Sequence, residues 1–242
     1  MKLNFLFAIF PYIALGSLAV GTVARYLLFR KQPEFISAET AEAKAIFRGN
    51  RLWQISLVFL LAGHAVAFVA PRLMLQWNAS SMRLYLLEGA AFVIGCAALA
   101  GWFFVLWRNL KRHGGSTLTE LSDVVLLALL FVSISTGLIV AVLYRWGSAW
   151  GAMTLAPYFI SVLRGKPTAN LVSQMPFVVR LHVFSLFASI AILPATRLGT
   201  VLVASLRALL GVSGRLASAA GRAAEARLKK LNPAPWLWPE ED

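Results

Sequence analysis

The chain is poor in the residues that build soluble active sites. Its 242 residues include one cysteine, three histidines and ten acids, and only 14% of side chains are charged. A soluble domain carries about 25% charged residues. The lone Cys96 cannot close an internal disulfide, which excludes a cystine-stapled secreted scaffold. No nucleophile–base pair or multi-ligand metal motif is present, so a catalytic centre of its own is not expected. Low charge also excludes a disordered chain. What fills the sequence instead is apolar: 59% of residues are hydrophobic, above the roughly 45–50% of soluble domains. The composition is that of a membrane protein with several spans. The net charge of +13 would suggest nucleic acid in a soluble chain. In a membrane protein it reflects Lys- and Arg-rich cytoplasmic segments, and no nucleic-acid partner is expected.

Five stretches are long enough to cross a bilayer: Leu3–Phe29, Leu52–Ala70, Leu84–Trp107, Leu121–Trp146 and Pro176–Val203. None alternates as a barrel strand does, so all five are expected to be helices. The first is too long for a signal-peptide core and lacks a small-residue cleavage site, so it is expected to be retained. Sixteen of the 23 Lys and Arg residues follow spans one, three and five. The positive-inside rule then predicts an external N-terminus and a cytoplasmic C-terminus. The fold expected is an all-α integral membrane bundle of five transmembrane helices over residues 1–203. On the external side Gly147–Met175 is the longest loop, punctuated by Pro157, Gly165 and Pro167, with a short surface helix expected over Ala156–Leu163. Beyond the bundle, 204–242 is expected to form a cytoplasmic extension. In it Arg207, Arg215, Arg222 and Lys229 share one face of a basic amphipathic helix over Ala204–Leu231, which either lies on anionic lipid or docks on a cytosolic subunit. The Pro- and Trp-containing stretch Asn232–Asp242 cannot continue that helix and is expected to be an extended tail.

Two of the three histidines fall inside spans, where an ionisable side chain is expensive and marks a functional hypothesis. His113 is in a Lys/Arg-flanked loop and is expected to be solvated. His64 lies seven residues before Pro71, and His182 six residues after Pro176. At about 1.5 Å per residue, each sits roughly 10 Å below the outer boundary. Two imidazoles at one depth, on helices of opposite direction, suit the two axial positions of a haem iron. Gly63 removes bulk beside His64. The alternatives are two independent core histidines satisfied by Ser or Thr, or a zinc site, for which no third ligand lies at that level. Glycines 89, 95 and 101 of span three suggest close helix packing. Trp77, Trp102, Trp107, Trp146 and Trp150 near span ends suggest interfacial belts.

Several short elements occur in a familiar order. Phe10-Pro11-Tyr12-Ile13-Ala14 opens span one, and Gly63-His64 precedes Pro71 in span two. Ser116–Asp123 leads into span four, which carries Gly137-Leu138. Phe177-Val178-Val179-Arg180-Leu181-His182 opens span five, and Pro194-Ala195-Thr196-Arg197-Leu198 closes it. Over residues 8–203 this order resembles the gamma subunit of membrane-bound respiratory nitrate reductase, a five-helix cytochrome b. The resemblance implies quinol oxidation near the outer face and electron transfer through haem b in a bacterial cytoplasmic membrane. It implies that the outer haem is held by His64 and His182. The inner haem of the family uses two further histidines, whose positions here are Gln54 and Thr200. Neither is a usual haem ligand, so one haem is expected. His182 and Thr200 would be about 27 Å apart on a continuous helix. Without an inner haem, the redox partner is expected on the outer side, or a partner cofactor must reach deep into the bundle.

The same resemblance suggests partner roles for polar groups near the outer end. Arg72 and Arg83, in the short outer loop, are candidates for a haem propionate or a quinone site. Glu88, the one acid in the outer third of span three, is a candidate acceptor for a quinol proton. Asp123 is expected to complement the start of span four. The function expected is a membrane cytochrome b subunit carrying electrons between the quinone pool and partner subunits of iron–sulfur, molybdenum or cytochrome c type. The terminal substrate would be handled on another subunit, and related membrane cytochromes serve several different complexes. The alternative is a haem-free membrane anchor. A small transporter is disfavoured by the lack of paired broken helices or an inverted repeat.

Overall fold

Prolines and glycines stand at several helix ends of a chain whose described residues are nearly all helical. The computed structural model describes residues 2–47, 51–112, 121–209 and 222. His113, the Asn232–Asp242 tail and most of the expected amphipathic helix lie outside them. Nine α-helices are bounded among the described residues: α1 Lys2–Phe29, α2 Pro33–Phe47, α3 Arg51–Val69, α4 Pro71–Trp77, α5 Ser81–Arg112, α6 Leu121–Leu143, α7 Gly147–Leu163, α8 Asn170–Ser173 and α9 Phe177–Ile192. A 3₁₀ turn, Leu193–Ala195, follows α9, and 197–209 is helical again. Among the described residues five helices are long and apolar enough to cross a membrane: Asn4–Phe29, Arg51–Val69, Ser81–Arg108, Leu121–Leu143 and Phe177–Ala195. The chain divides into two units, 1–201 and 202–242. The site lies wholly in the first.

Three sequence expectations need correction. The fifth stretch is not one helix to Val203. Pro194 cannot donate an N–H to the ladder, and Thr196 turns extended, with φ −92° and ψ 166°. The external loop is not a loop with a short surface helix. A left-handed Trp146, φ 67°, turns the chain directly into α7. Pro157 sits inside that helix, while Ala152, Ala156, Tyr158 and Val162 are buried. Trp102 is no interfacial residue either: it is buried, and its indole N–H donates to the Leu127 carbonyl at 3.0 Å.

The spans form an incomplete ring. α9 packs on both α1 and α6, α6 on α5, and α5 on α3. α3 and α9 share no extended backbone contact. Near the start of α9, α7 packs on α3 and α4 and also touches α1 and α5. Two hydrogen bonds fasten α7 to α1: Tyr158 OH donates to the Phe7 carbonyl at 2.8 Å, and Tyr12 OH to the Val162 carbonyl at 3.0 Å. Burial, reinforced by neighbouring Tyr12, pushes the Tyr158 phenol upward from its ordinary pKa, so this donor keeps its proton.

Two apolar clusters hold the ring. One gathers Trp53, Ala98, Trp102, Val105, Leu126 and Leu127 from α3, α5 and α6. The other gathers Phe7, Tyr158, Val162, Val172, Val183 and Phe187 from α1, α7, α8 and α9. Between α3 and α5 the contact is backbone-close. A Cβ added at Gly101 would stand 2.9 Å from both Cα and Cβ of Trp53. In a bilayer, such small-residue contacts supply the packing that water drives in soluble proteins. At Gly89 a Cβ would meet nothing within 4 Å. Gly101→Val is therefore expected to cost about 2 kcal/mol, read as a lowered thermal midpoint of the detergent-purified protein. Gly89→Ala should stay within about 0.5 kcal/mol of the parent. Equal midpoints for the two variants would contradict the tight α3–α5 contact.

Candidate functional site

α3 and α9 are bridged by side chains. The rings of His64 and His182 lie 6.1 Å apart between centroids, with their planes inclined by 38°. Each histidine is five residues inside its helix, counted from the end nearest Pro71 or Pro176. The matched depth expected from those two prolines is thus a matched position in space.

Hydrogen bonds settle how the rings present themselves. His64 Nδ1 lies 2.7 Å from the Leu60 carbonyl, one turn earlier on α3. His182 Nδ1 lies 2.9 Å from the Ser133 carbonyl on α6. A carbonyl oxygen has no proton to give, so each Nδ1 must carry the hydrogen. In a neutral ring, Nε2 is then the atom with a free lone pair. α6 is shaped to receive His182. A Cβ at Gly137 would lie 3.2 Å from its Cε1, so glycine admits the ring edge. Thr136 Oγ1 lies 3.1 Å from His182 Nδ1, and Ser133 and Ser185 hydroxyls pair at 2.8 Å. Sequence reasoning passed over Ser133, Thr136 and Gly137 as side-chain partners. The polar run Ser133-Ile134-Ser135-Thr136-Gly137 within an apolar span was the available signal.

The donor set fits an axial pair for a haem. Two imidazole nitrogens would each need a metal bond of about 2 Å, and two such bonds in line, with half a ring at either end, span about 6 Å. A cluster of three or more His, Cys, Asp or Glu suited to a bare metal ion is absent among the described residues. A Cβ at Gly63 would meet nothing within 4 Å, so this face of α3 presents no bulk of its own. An aromatic row continues from the pair to α7: Phe68 lies 6.1 Å from His64, and Phe159 lies 4.4 Å from Phe68 and 5.5 Å from Phe187.

The other candidates sit toward the α4 and α7 end. Arg72 is exposed on α4. Arg83 is exposed, with its guanidinium 5.5 Å from the Trp77 ring centroid and a 3.4 Å bond to the Gln76 carbonyl. Its partners therefore lie on α4. Glu88 reaches α7: its Oε1 accepts from the Ser148 amide at 2.8 Å and the Ser148 hydroxyl at 2.6 Å. That places a carboxylate at the positive start of α7.

At the opposite end, near α2, the bundle is ionic. Thr200 Oγ1 donates to Glu39 at 3.3 Å, while Gln54 is exposed. Glu39 shares the buried face of α2 with Ile36, Ala43 and Phe47. It also pairs with Arg25 at 3.3 Å, and Arg197 pairs with Glu42 at 3.0 Å and Asp123 at 3.6 Å. These groups mend the break after α9. Arg25 donates to the Pro194 carbonyl at 2.8 Å and to the Thr196 carbonyl, and the Arg197 amide donates to Asp123 at 3.0 Å. Asp123 was expected only to complement the start of α6. It is buried and receives the chain that follows the break.

A profile of the nitrate reductase gamma subunit family matches residues 3–211. The chain belongs to that family. Among curated relatives, the nitrate reductase gamma chain of Bacillus subtilis (strain 168) is 24% identical over 201 residues, covering 82% of this chain and 90% of that protein. Membership agrees with five apolar helices and makes the chain a membrane subunit of the nitrate reductase gamma type. Within this family framework, the ion cluster has a measurable weight. Arg197→Met should cost about 2 kcal/mol, because it removes the guanidinium that pairs with the buried Asp123 carboxylate at 3.6 Å. Adding Asp123→Leu should restore part of the loss. Thermal unfolding in detergent reads both, and a single variant as stable as the parent would contradict the role given to Arg197.

Proposed function

We propose that the chain is the membrane cytochrome b subunit of a nitrate-reductase-like respiratory complex. It binds one haem b between α3 and α9, with His64 and His182 as axial ligands, and exchanges electrons with the quinone pool. The observation that carries this is the ring pair at 6.1 Å with both Nδ1 atoms committed to carbonyls. When bound, the haem supplies the one-electron chemistry that links a two-electron quinol to one-electron carriers. The protein's part is to fix the axial rings and set the polarity around them.

Only one haem is assigned. The family's second pair of positions is taken by Gln54 and Thr200, and the Thr200 hydroxyl is engaged by Glu39. On the quinone side, Arg72 and Arg83 are exposed cations suited to a propionate or a quinone oxygen. Both bonds from Ser148 fall on Oε1 of Glu88, and Oε2 is the oxygen assigned to a quinol proton. The N-terminus is assigned to the outer side of a bacterial cytoplasmic membrane and the C-terminus to the cytoplasm, on the distribution of Lys and Arg. Residues 1–203 then form the cytochrome domain and 204–242 a cytoplasmic extension. Terminal-substrate chemistry belongs to partner subunits, with an iron–sulfur, molybdenum or cytochrome c centre receiving or donating the electrons.

Purified chain should show a b-type reduced-minus-oxidised band and about one haem per polypeptide by extraction. His64→Ala and His182→Ala should each abolish the band without loss of the protein from the membrane. A wild-type protein without the band would leave only a membrane anchor. Two haems per chain would refute the single-site assignment.

A further inference from the structure

The geometry points to Thr136 as the positioning residue that sets how strongly His182 donates to the haem iron, resting on the axial assignment proposed above. Thr136 is 5% exposed. Its hydroxyl has two helix carbonyls within reach, Val132 at 2.6 Å and Ser133 at 3.1 Å. The shorter one, four residues back on α6, takes the hydroxyl proton. His182 Nδ1 already carries hydrogen, because it faces the Ser133 carbonyl at 2.9 Å. At 3.1 Å from Thr136 Oγ1, that same N–H has a second acceptor. It is shared between a carbonyl and a hydroxyl, both on one turn of α6.

The two axial rings are therefore held differently. His64 has a single acceptor on its own helix, so its bond follows α3 wherever α3 moves. His182 is fixed from α6, across a helix interface. Gly137 admits the ring edge, and Thr136 closes on its N–H. An imidazole whose Nδ1–H is drawn toward acceptors is a stronger base at Nε2. A stronger axial base stabilises the oxidised iron and lowers the reduction potential. Thr136 is thus a potential-setting residue that touches no substrate.

The test uses the full chain with its partner subunits, purified in detergent. Thr136→Val keeps the shape and removes the acceptor, and Thr136→Ser keeps the hydroxyl. The readouts are haem content, a spectroelectrochemical titration, and the low-temperature EPR spectrum of the oxidised low-spin haem. Thr136→Val should retain haem, shift the midpoint potential upward and alter the EPR g-values. Thr136→Ser should stay close to the parent in both. Loss of haem in Thr136→Val with retention in Thr136→Ser would equally assign the hydroxyl to holding the ring. An unmoved potential in haem-loaded Thr136→Val would overturn the inference while leaving the axial assignment standing. So would Thr136→Ser shifting as far as Thr136→Val, or both variants losing haem, since packing would then be the cause. A wild-type chain with no b-type band would instead remove the axial assignment itself.

Discussion

In hydrocarbon there is no water to complete a hydrogen bond, so an N–H or C=O that leaves the helical ladder must find its partner within the protein. That constraint governs both ends of this bundle. Near α4 and α7, two imidazole N–H groups are met by helix carbonyls, one local and one from the neighbouring span. Near α2, the carbonyls and amide freed by the break after α9 are met by Arg25 and Asp123. The remaining charge there is balanced among Glu39, Glu42 and Arg197. One end thus leaves each ring a free lone pair, and the other end closes on itself.

That contrast gives the single-haem proposal its physical content. A threonine hydroxyl directed at Glu39 is already satisfied, and neither it nor an exposed glutamine offers the neutral nitrogen an iron prefers. Dismantling the ion cluster to admit a macrocycle would take the Arg197 pairing away from the buried Asp123. On this proposal redox chemistry is assigned to the histidine end alone.

The parts legible in the sequence were those set by local rules. Span number follows from hydropathy, because only long apolar helices survive in lipid. The equal depth of His64 and His182 follows from Pro71 and Pro176, since prolines mark helix starts and rise per residue does the rest. The break at Leu193–Thr196 was missed although Pro194 announced it, because the apolar composition runs on through Val203. In α7 the reverse error occurred. Pro157 reads as punctuation in the sequence, yet it sits inside a helix whose buried face packs against α1, α3 and α4. The ion cluster was illegible for a different reason. Arg25, Glu39, Asp123 and Arg197 belong to four elements, and only tertiary register brings them together. Thr136 is half hidden: the polar run Ser133–Gly137 marks the segment, but only tertiary register decides which of its side chains meets His182.

α9 explains why that register is firm. Apolar residues are spread around the whole helix rather than gathered on one face, which suits an element packed on two sides, and it lies between α1 and α6. Val179, Val183, Ser185 and Phe187 are all buried along it. With both flanks occupied, α9 can neither rotate nor slide without breaking the Ser133–Ser185 pair and the Val183 and Phe187 contacts together. α3 packs on α5 and α7 but makes no extended backbone contact with α9, and its exposed residues outnumber its buried ones. Of the two histidines, His182 is held across a helix interface and His64 from its own helix. A ligand gripped by both rings would take its orientation from α9 and add the α3 contact that the backbones themselves do not make.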